Sequence, residues 1–349
     1  MTRLNEKEVI ALFSSKLGIK RTINNANDDA AVLHFQDIVD SFGYEGCNAA
    51  IVLKSDMLVE STDVPPHMLL WQVARKSVVA CVSDMSAKGI SPPYLCLISI
   101  GIPSTFSKCQ IIDLIKGFQR ASKEFGVKVV GGDTNRSNEL VIDCSMVGVS
   151  PGGSYIPKRK GARPGDIVVS SGLFGFSSSG LRILTDNAMA KGHFKRIAIE
   201  SVLMPVPRQM FGISLAKFFS SSIDSSDGLA ASTYELAKQS GVNLVIDNDP
   251  SAGKVQQFAV DNGLTVRDLV FYGGEEYEII ATIPEGNLET ARTLSAKTKL
   301  KLYVIGKVEK GDGKVIILSD RGRRLLLREG GYMHRFSTIR RKRRTKKTG

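Results

Sequence analysis

Apolar positions along this chain follow two periods in alternation, one suited to helices and one to strands. Val9, Ile10, Phe13 and Leu17 share one face of a helix predicted over residues 5–17, with Gly18 as its stop. Ile51-Val52-Leu53 reads as a buried strand running into Ser55-Asp56. After a turn at Pro65-Pro66, a helix from about Met68 to Val82 delivers Ser83-Asp84. Tyr94 to Ile102 predicts an apolar strand, and Ser107 caps a helix that runs through Phe125 to Gly126. Val127-Lys128-Val129-Val130 leads into Gly131-Gly132-Asp133, and Leu140 to Val149 forms the next strand.

The pattern breaks at Pro151-Gly152-Gly153 and stays irregular through Gly161-Ala162-Arg163-Pro164-Gly165, a stretch of turn formers and cations. Beyond it strands are predicted at 166–169, 242–246, 278–283, 302–308 and 315–318, and helices at 177–189, 210–219 and 229–240. Strands and helices alternate in both halves, so the expected fold is α+β, built of two α/β domains. The expected divisions are residues 1–150, residues 151–335 and a tail, 336–349. No repeat of fixed period is visible.

Charge changes this picture at one end only. Eight of the twelve net positive charges fall in residues 335–349, which hold no acid, so the rest of the chain carries +4. Such a tail is expected to be solvated and disordered. It has no aromatic residue after Phe336 to stack on bases, so any nucleic-acid contact would be weak and electrostatic. No apolar run approaches the roughly 18 residues of a membrane span. The five Cys are scattered without a C-x-x-C, which suits reduced thiols and a cytoplasmic location.

The candidate chemistry lies in five short acidic motifs: Asn27-Asp28-Asp29-Ala30-Ala31, Ser55-Asp56, Ser83-Asp84-Met85-Ser86, Gly131-Gly132-Asp133-Thr134 and Asp224-Ser225-Ser226-Asp227-Gly228-Leu229. Only Ser55-Asp56 has a cation as its immediate neighbour, Lys54. An isolated Ser-Asp or Asp-Gly is usually a cap or a turn. Five, mostly at the edges of apolar segments, point instead to hard divalent cations, Mg²⁺ above all, and to the phosphates such ions hold.

Familiar nucleotide motifs (G-x-x-x-x-G-K-[ST], G-x-G-x-x-G, the kinase catalytic loop) are absent. The four His sit in no metal-ligand or nucleophile-activating spacing. Phosphoryl transfer needs positioning and charge neutralisation more than covalent help. With carboxylates in plenty and no evident base, a phosphate acceptor suits the residues better than a hydroxyl.

Taken in order, the motifs resemble those of the thiamine-monophosphate kinases, within the ATP-binding superfamily that includes aminoimidazole ribonucleotide synthetase. The matching segments are Asn27–Val32, Ser55–Glu60, Val82–Gly89, Gly131–Thr134, Gly161–Asp166, Ser226–Leu229 and Tyr272–Glu278. The resemblance implies ATP-dependent phosphorylation of thiamine monophosphate to thiamine diphosphate. It implies several Mg²⁺ ions held by Asp29, Asp56, Asp84, Asp133, Asp224 and Asp227, with Ser55 beside them. Gly132, Asp133, Arg159 and Ser226 would contact ATP, and Asp63, Glu275 and Tyr332 the thiamine end. It also implies a homodimer whose N-terminal sheets join into a barrel across the two-fold axis.

Four positions depart from the family pattern. Asn27 replaces a Gly, Lys54 stands where a Ser is common, Asp63 replaces a substrate-facing His, and Glu276 replaces an Asp. The alternatives are another enzyme of the superfamily, such as an aminoimidazole ribonucleotide synthetase, and a non-catalytic nucleotide- or RNA-binding protein. A purely binding module would have no need of six metal-facing carboxylates.

Overall fold

In a computed structural model of the chain, residues 6–17, 49–319 and 322–332 are described. The Asn27–Ala31 motif with Asp29, Cys47 and the tail lie outside them. Helix α1 (Glu6–Lys16) comes first. Strand β1 (Ala50–Val59), the short helix α2 (Glu60–Asp63), helix α3 (Leu70–Ala87), β2 (Tyr94–Pro103), α4 (Lys108–Phe125), β3 (Val127–Ser137) and β4 (Val141–Ser150) complete the first half.

Its sheet has the order β1-β4-β2-β3. Strands β2 and β3 run parallel because α4 crosses between them, and the other pairs are antiparallel. Helix α4 forms as expected from its ends. Ser107 and Gln110 exchange a capping box, and Gly126 closes the helix in the left-handed region at φ 69°. Helices α3 and α4 bury one face of the sheet, where Val78, Val79, Leu114, Ile115 and Phe118 meet Ile142, Cys144 and Met146.

Among the described residues the opposite face is bare along much of its length, although Val149 and Leu95 on it are buried. Along β1 exposure alternates, leaving Ile51, Leu53 and Met57 outward at 45, 73 and 64%. Leu97 of β2 joins them. In an antiparallel sheet a bare apolar face is unusual for a protein that works alone.

The second half holds β5 (Ile167–Ser170), α5 (Phe176–Thr185), α6 (Gly192–Leu203), α7 (Gln209–Leu215), β6 (Ser221–Ser225), α8 (Leu229–Ser240) and β7 (Val242–Ile246). Next come α9 (Val255–Asp261), α10 (Val266–Phe271), β8 (Glu278–Ile283), α11 (Glu285–Lys297), β9 (Tyr303–Lys310), β10 (Val315–Leu318) and β11 (Arg324–Leu326). Its seven strands lie in the order β11-β10-β7-β9-β5-β8-β6, with only β7 and β10 parallel. Neither sheet closes on itself.

Four helices here escape the hydrophobic pattern, and the reason is thin burial. Helix α11 buries only Ala291 and Ser295, and α6 only Ala198 and Val202, so no strong stripe is written into either. Helices α9 and α10 are short, at seven and six residues.

Helix α3 also differs from expectation, running five residues past Val82. Ser83, Met85, Ser86 and Ala87 are all buried, so the last turn is held by packing. The helix ends in the αL conformation of Gly89, φ 70°. This last turn ties the halves together. Ser83 Oγ donates to Asp224 Oδ2 at 2.9 Å, and Lys88 Nζ to the Ser222 carbonyl at 2.8 Å. Among the described residues no helix is long and apolar enough to cross a membrane, and Cys81, Cys96, Cys109 and Cys144 are free thiols.

Candidate active site

Three of the predicted carboxylates meet at the junction of the halves. Asp56 points inward from β1, Asp84 projects from the last turn of α3, and Asp224 stands on β6 with 6% exposure. Lys54, two residues before Asp56 and therefore on the same face of β1, reaches between them. Its Nζ lies 3.1 Å from Asp56 Oδ1 and 2.7 Å from Asp84 Oδ2.

The electrostatics follow from crowding like charges out of water. Burial first, then the neighbouring charge of Asp84, pushes the Asp224 carboxyl up to about 8. Burial likewise raises Asp56 to about 6, against the opposing pull of Lys54. Burial alone would lower Lys54, but Asp84 and Asp56 outweigh it and hold its ammonium well above the ordinary lysine range. A second lysine stands nearby: burial, and then Arg159, lower Lys88 to about 8 while Asp84 and Asp224 oppose them.

A second cluster adjoins the first. After α10 the chain passes through Gly273-Gly274, and Glu275 takes a positive φ of 64° with its N–H donated to the Ser226 carbonyl at 2.6 Å. That bend turns the Glu275 carboxylate onto the Nζ of Lys76, a lysine of α3 with only 2% exposure. Lys76 Nζ also donates to the Asp63 carbonyl at 2.6 Å. Asp56, Asp63, Lys76, Glu275 and Tyr277 line a cavity of about 80 Å³ here. The exposed Tyr332 feels the same acids: burial and then the charges of Asp63, Glu275 and Asp227 raise its phenol. Its backbone N–H donates to the Asp227 carbonyl at 3.0 Å.

Lys76 carries no motif and was missed from the sequence. The available signal was Arg75-Lys76, two cations set within Val73-Ala74 and Val78-Val79, where only a buried partner explains a lysine.

The other expected site residues lie elsewhere. Strand alternation puts the Ser55 side chain on the bare outer face, where its hydroxyl donates to Asp143 Oδ1 at 2.9 Å and pairs with Ser145 Oγ. Asp133 is exposed on β3 and shares that face: Ser99 of β2 registers with both Asp133 and Asp143. Asp56 and Asp133 thus face opposite sides of one sheet, and Asp143 adds an acid that no motif announced. Gly132 is obligatory, since an added Cβ would come 1.8 Å from the Ile98 carbonyl. Arg159 is half-exposed, 4.0 Å from Glu235 of α8, and Ser226 and Asp227 are exposed in the loop before that helix.

Comparison with known proteins places this arrangement. Residues 27–150 match the model of the AIR synthase related protein N-terminal domain, and residues 163–319 that of its C-terminal domain. The thiamine-monophosphate kinase of Nitrosopumilus maritimus is 37% identical over 334 residues, covering 96% of this chain and 99% of the relative. The chain belongs to the thiamine-monophosphate kinase family. The Pyrococcus horikoshii member is 32% identical over 93% of this chain and 95% of its own. Among solved structures, AaThiL complexed with AMPPCP and TMP is 26% identical with a TM-score of 0.69, covering 93% of this chain and 97% of that one. The thiamine-monophosphate kinase of Stenotrophomonas maltophilia K279a, 24% identical, shares the fold at a TM-score of 0.74 over 88% of this chain and 95% of its own.

Two departures from the kinase family's pattern have local explanations. The Asp63 carboxylate accepts from the Val59 N–H at 2.7 Å and from Thr62 Oγ1 at 3.0 Å, closing the turn of α2. The Glu276 carboxylate accepts from the N–H groups of Gly175 and Ser177, at 2.7 and 3.1 Å, at the start of α5. Its role is that of a helix cap reached from a distant loop.

Proposed function

We propose that this chain transfers the γ-phosphoryl group of ATP to thiamine monophosphate, forming thiamine diphosphate. The observation that carries this reading is the end-to-end match to a thiamine-monophosphate kinase at 37% identity. AaThiL, a relative of similar fold, binds AMPPCP together with TMP.

The donor set of Asp56, Asp84 and Asp224 fits Mg²⁺ in one respect that matters. Among the described residues no group of three Asp, Glu, His or Cys side chains is arranged to hold a metal ion by itself. Mg²⁺ seldom asks for one, since it binds through one or two carboxylates and completes its shell with water and phosphate oxygens. Asp29 and Asp227 are proposed as further ligands, and Asp133, which faces the other side of the sheet from Asp56, as a ligand to a separate ion. When bound, such ions would screen the repulsion between the triphosphate and the incoming phosphate.

The residues themselves supply orientation. Lys76 fixes Glu275, and Glu275 with Tyr332 presents an acid and an aromatic ring to the thiamine end. The cavity of about 80 Å³ beside them suits one edge of a heterocycle rather than a whole substrate. Arg159, Gly132 and Ser226 are proposed as ATP contacts, Arg159 as a charge-assisted donor to phosphate. A phosphate acceptor is already anionic, so the absence of His from both clusters among the described residues is no obstacle.

The bare face of β1-β4-β2-β3 supports a homodimer in which two such sheets meet as a barrel, with a division between the domains near residue 150. The decisive assay follows ADP release with thiamine monophosphate, thiamine and aminoimidazole ribonucleotide precursors in parallel. Turnover with thiamine monophosphate alone is expected. Comparable turnover with thiamine or with a purine precursor would overturn the assignment.

A further inference from the structure

A cation, Lys54, stands immediately before Ser55-Asp56. Lys54 does not turn away. Register pairs it with Met146 and Asp56 with Cys144, both buried on the inner face, so Lys54 and Asp56 point together into the junction. The Lys54 ammonium then bridges Asp56, from its own strand, and Asp84, from the last turn of α3, at 3.1 and 2.7 Å. Asp224 adjoins Asp84 and is held in place by Ser83 Oγ at 2.9 Å.

We infer that Lys54 is a built-in cation of the metal centre: its ammonium occupies the space between Asp56 and Asp84 that a divalent ion would otherwise fill. The inference rests on the metal reading above. Acids from three elements converge here, and those that are ionised need positive charge in the ligand-free protein. A mobile ion supplies two charges but needs the lone pairs of both acids. The ammonium takes one oxygen of each acid, Asp56 Oδ1 and Asp84 Oδ2, and fills the space between them, where its charge repels a second cation. The side chain is only 30% exposed, and its stem fills the space a short Ser would leave open. The consequence is one divalent ion fewer per chain than the same centre with Ser at this position. The remaining ions would then be those that arrive with nucleotide.

The test counts ions directly. Mn²⁺ binding, read by electron paramagnetic resonance in the presence of a non-hydrolysable ATP analogue, is compared for the wild type, Lys54→Ser and Lys54→Met. Each variant is expected to bind one more Mn²⁺ per chain than the wild type. Without divalent ions both variants should melt several degrees lower, and Mn²⁺ should restore that loss while hardly moving the wild type. Equal counts in all three proteins would overturn the inference and leave the metal reading standing. No Mn²⁺ bound by any of them would remove the metal reading and the inference together. Should both variants fail to fold, Lys54→Arg keeps the charge and must match the wild-type count; a higher count overturns the proposal.

Discussion

Single residues in this site owe their properties to what surrounds them more than to their motifs. Asp224 is the clearest case, since a buried carboxylate beside Asp84 is costly unless a cation answers it. Asp224→Asn should leave the fold intact, because Ser83 can still donate to the amide oxygen. Turnover should fall on the order of 10²–10³, as expected when a charge that organises the transition state is lost. Steady-state kinetics across a Mg²⁺ titration would show it, and near-normal rates at limiting Mg²⁺ would count against the metal reading. Glu276 makes the complementary point about stability. Burial, and then Glu278, push its carboxyl up to about 7, although two backbone N–H groups pull the other way. Unfolded, it would release its proton near the ordinary value of 4.5. Between those limits the folded state binds more protons than the unfolded one, so stability falls as pH rises from about 4.5 to 7. Glu276→Gln mimics the protonated acid and should flatten that slope, which is worth a few kcal/mol at most. Thermal melting at several pH values reads this directly; a variant with the wild-type slope would refute it. At this scale Asp56, Asp84 and Asp224 were legible because acids flanked by small residues are conspicuous. Lys76 and Asp143 were not, since a lone lysine or aspartate within an apolar segment announces no partner.

Among the elements, α3 determines the most. It buries a sheet face with one side, carries Lys76 and Asp84 on others, and ends against β6 through Ser83, Ala87 and Lys88. A pattern of apolar positions located this helix but not its end, because Ser83 and Ser86 are buried by contact with the second half, which no local period records. The Lys76–Glu275 pair tests that junction. Lys76→Met would leave the Glu275 carboxylate and the Asp63 carbonyl without their donor. With Glu275 about a third exposed, the cost is expected at about 2 kcal/mol, below the range for fully buried pairs. Lys76→Met combined with Glu275→Gln should recover much of it, since no uncompensated charge then remains. Urea unfolding of both single variants and the double variant closes the cycle; strictly additive losses would show that the two side chains do not support each other.

For the whole molecule the unanswered surface is the outer face of the four-stranded sheet. Ile51, Leu53, Met57 and Leu97 stand there at 45, 73, 64 and 42% exposure, with Ser55, Ser145 and Asp143 forming a polar island among them. Alternation in β1 makes half of this face readable from sequence, yet the apolar run Ile51-Val52-Leu53 predicted a strand buried on both sides. The proposed homodimer would account for the difference: a strand half-exposed in one chain and covered by a second copy would have the sequence of a buried strand. A two-fold interface places the same patch against itself, so one substitution acts twice. Full burial of a Leu or Met contributes roughly 1.5–3 kcal/mol, and a charge in its place forfeits that and resists desolvation besides. Leu53→Glu should therefore convert the proposed dimer to a monomer at micromolar concentration, with its circular dichroism unchanged because the side chain is 73% exposed on the outer face. Val260 of α9 is the control, being 75% exposed in the second half and remote from this sheet. Val260→Glu should leave the mass in sedimentation equilibrium as it was. If Leu53→Glu keeps the wild-type mass, or if the wild type sediments as a monomer, the sheet face is not where two copies meet.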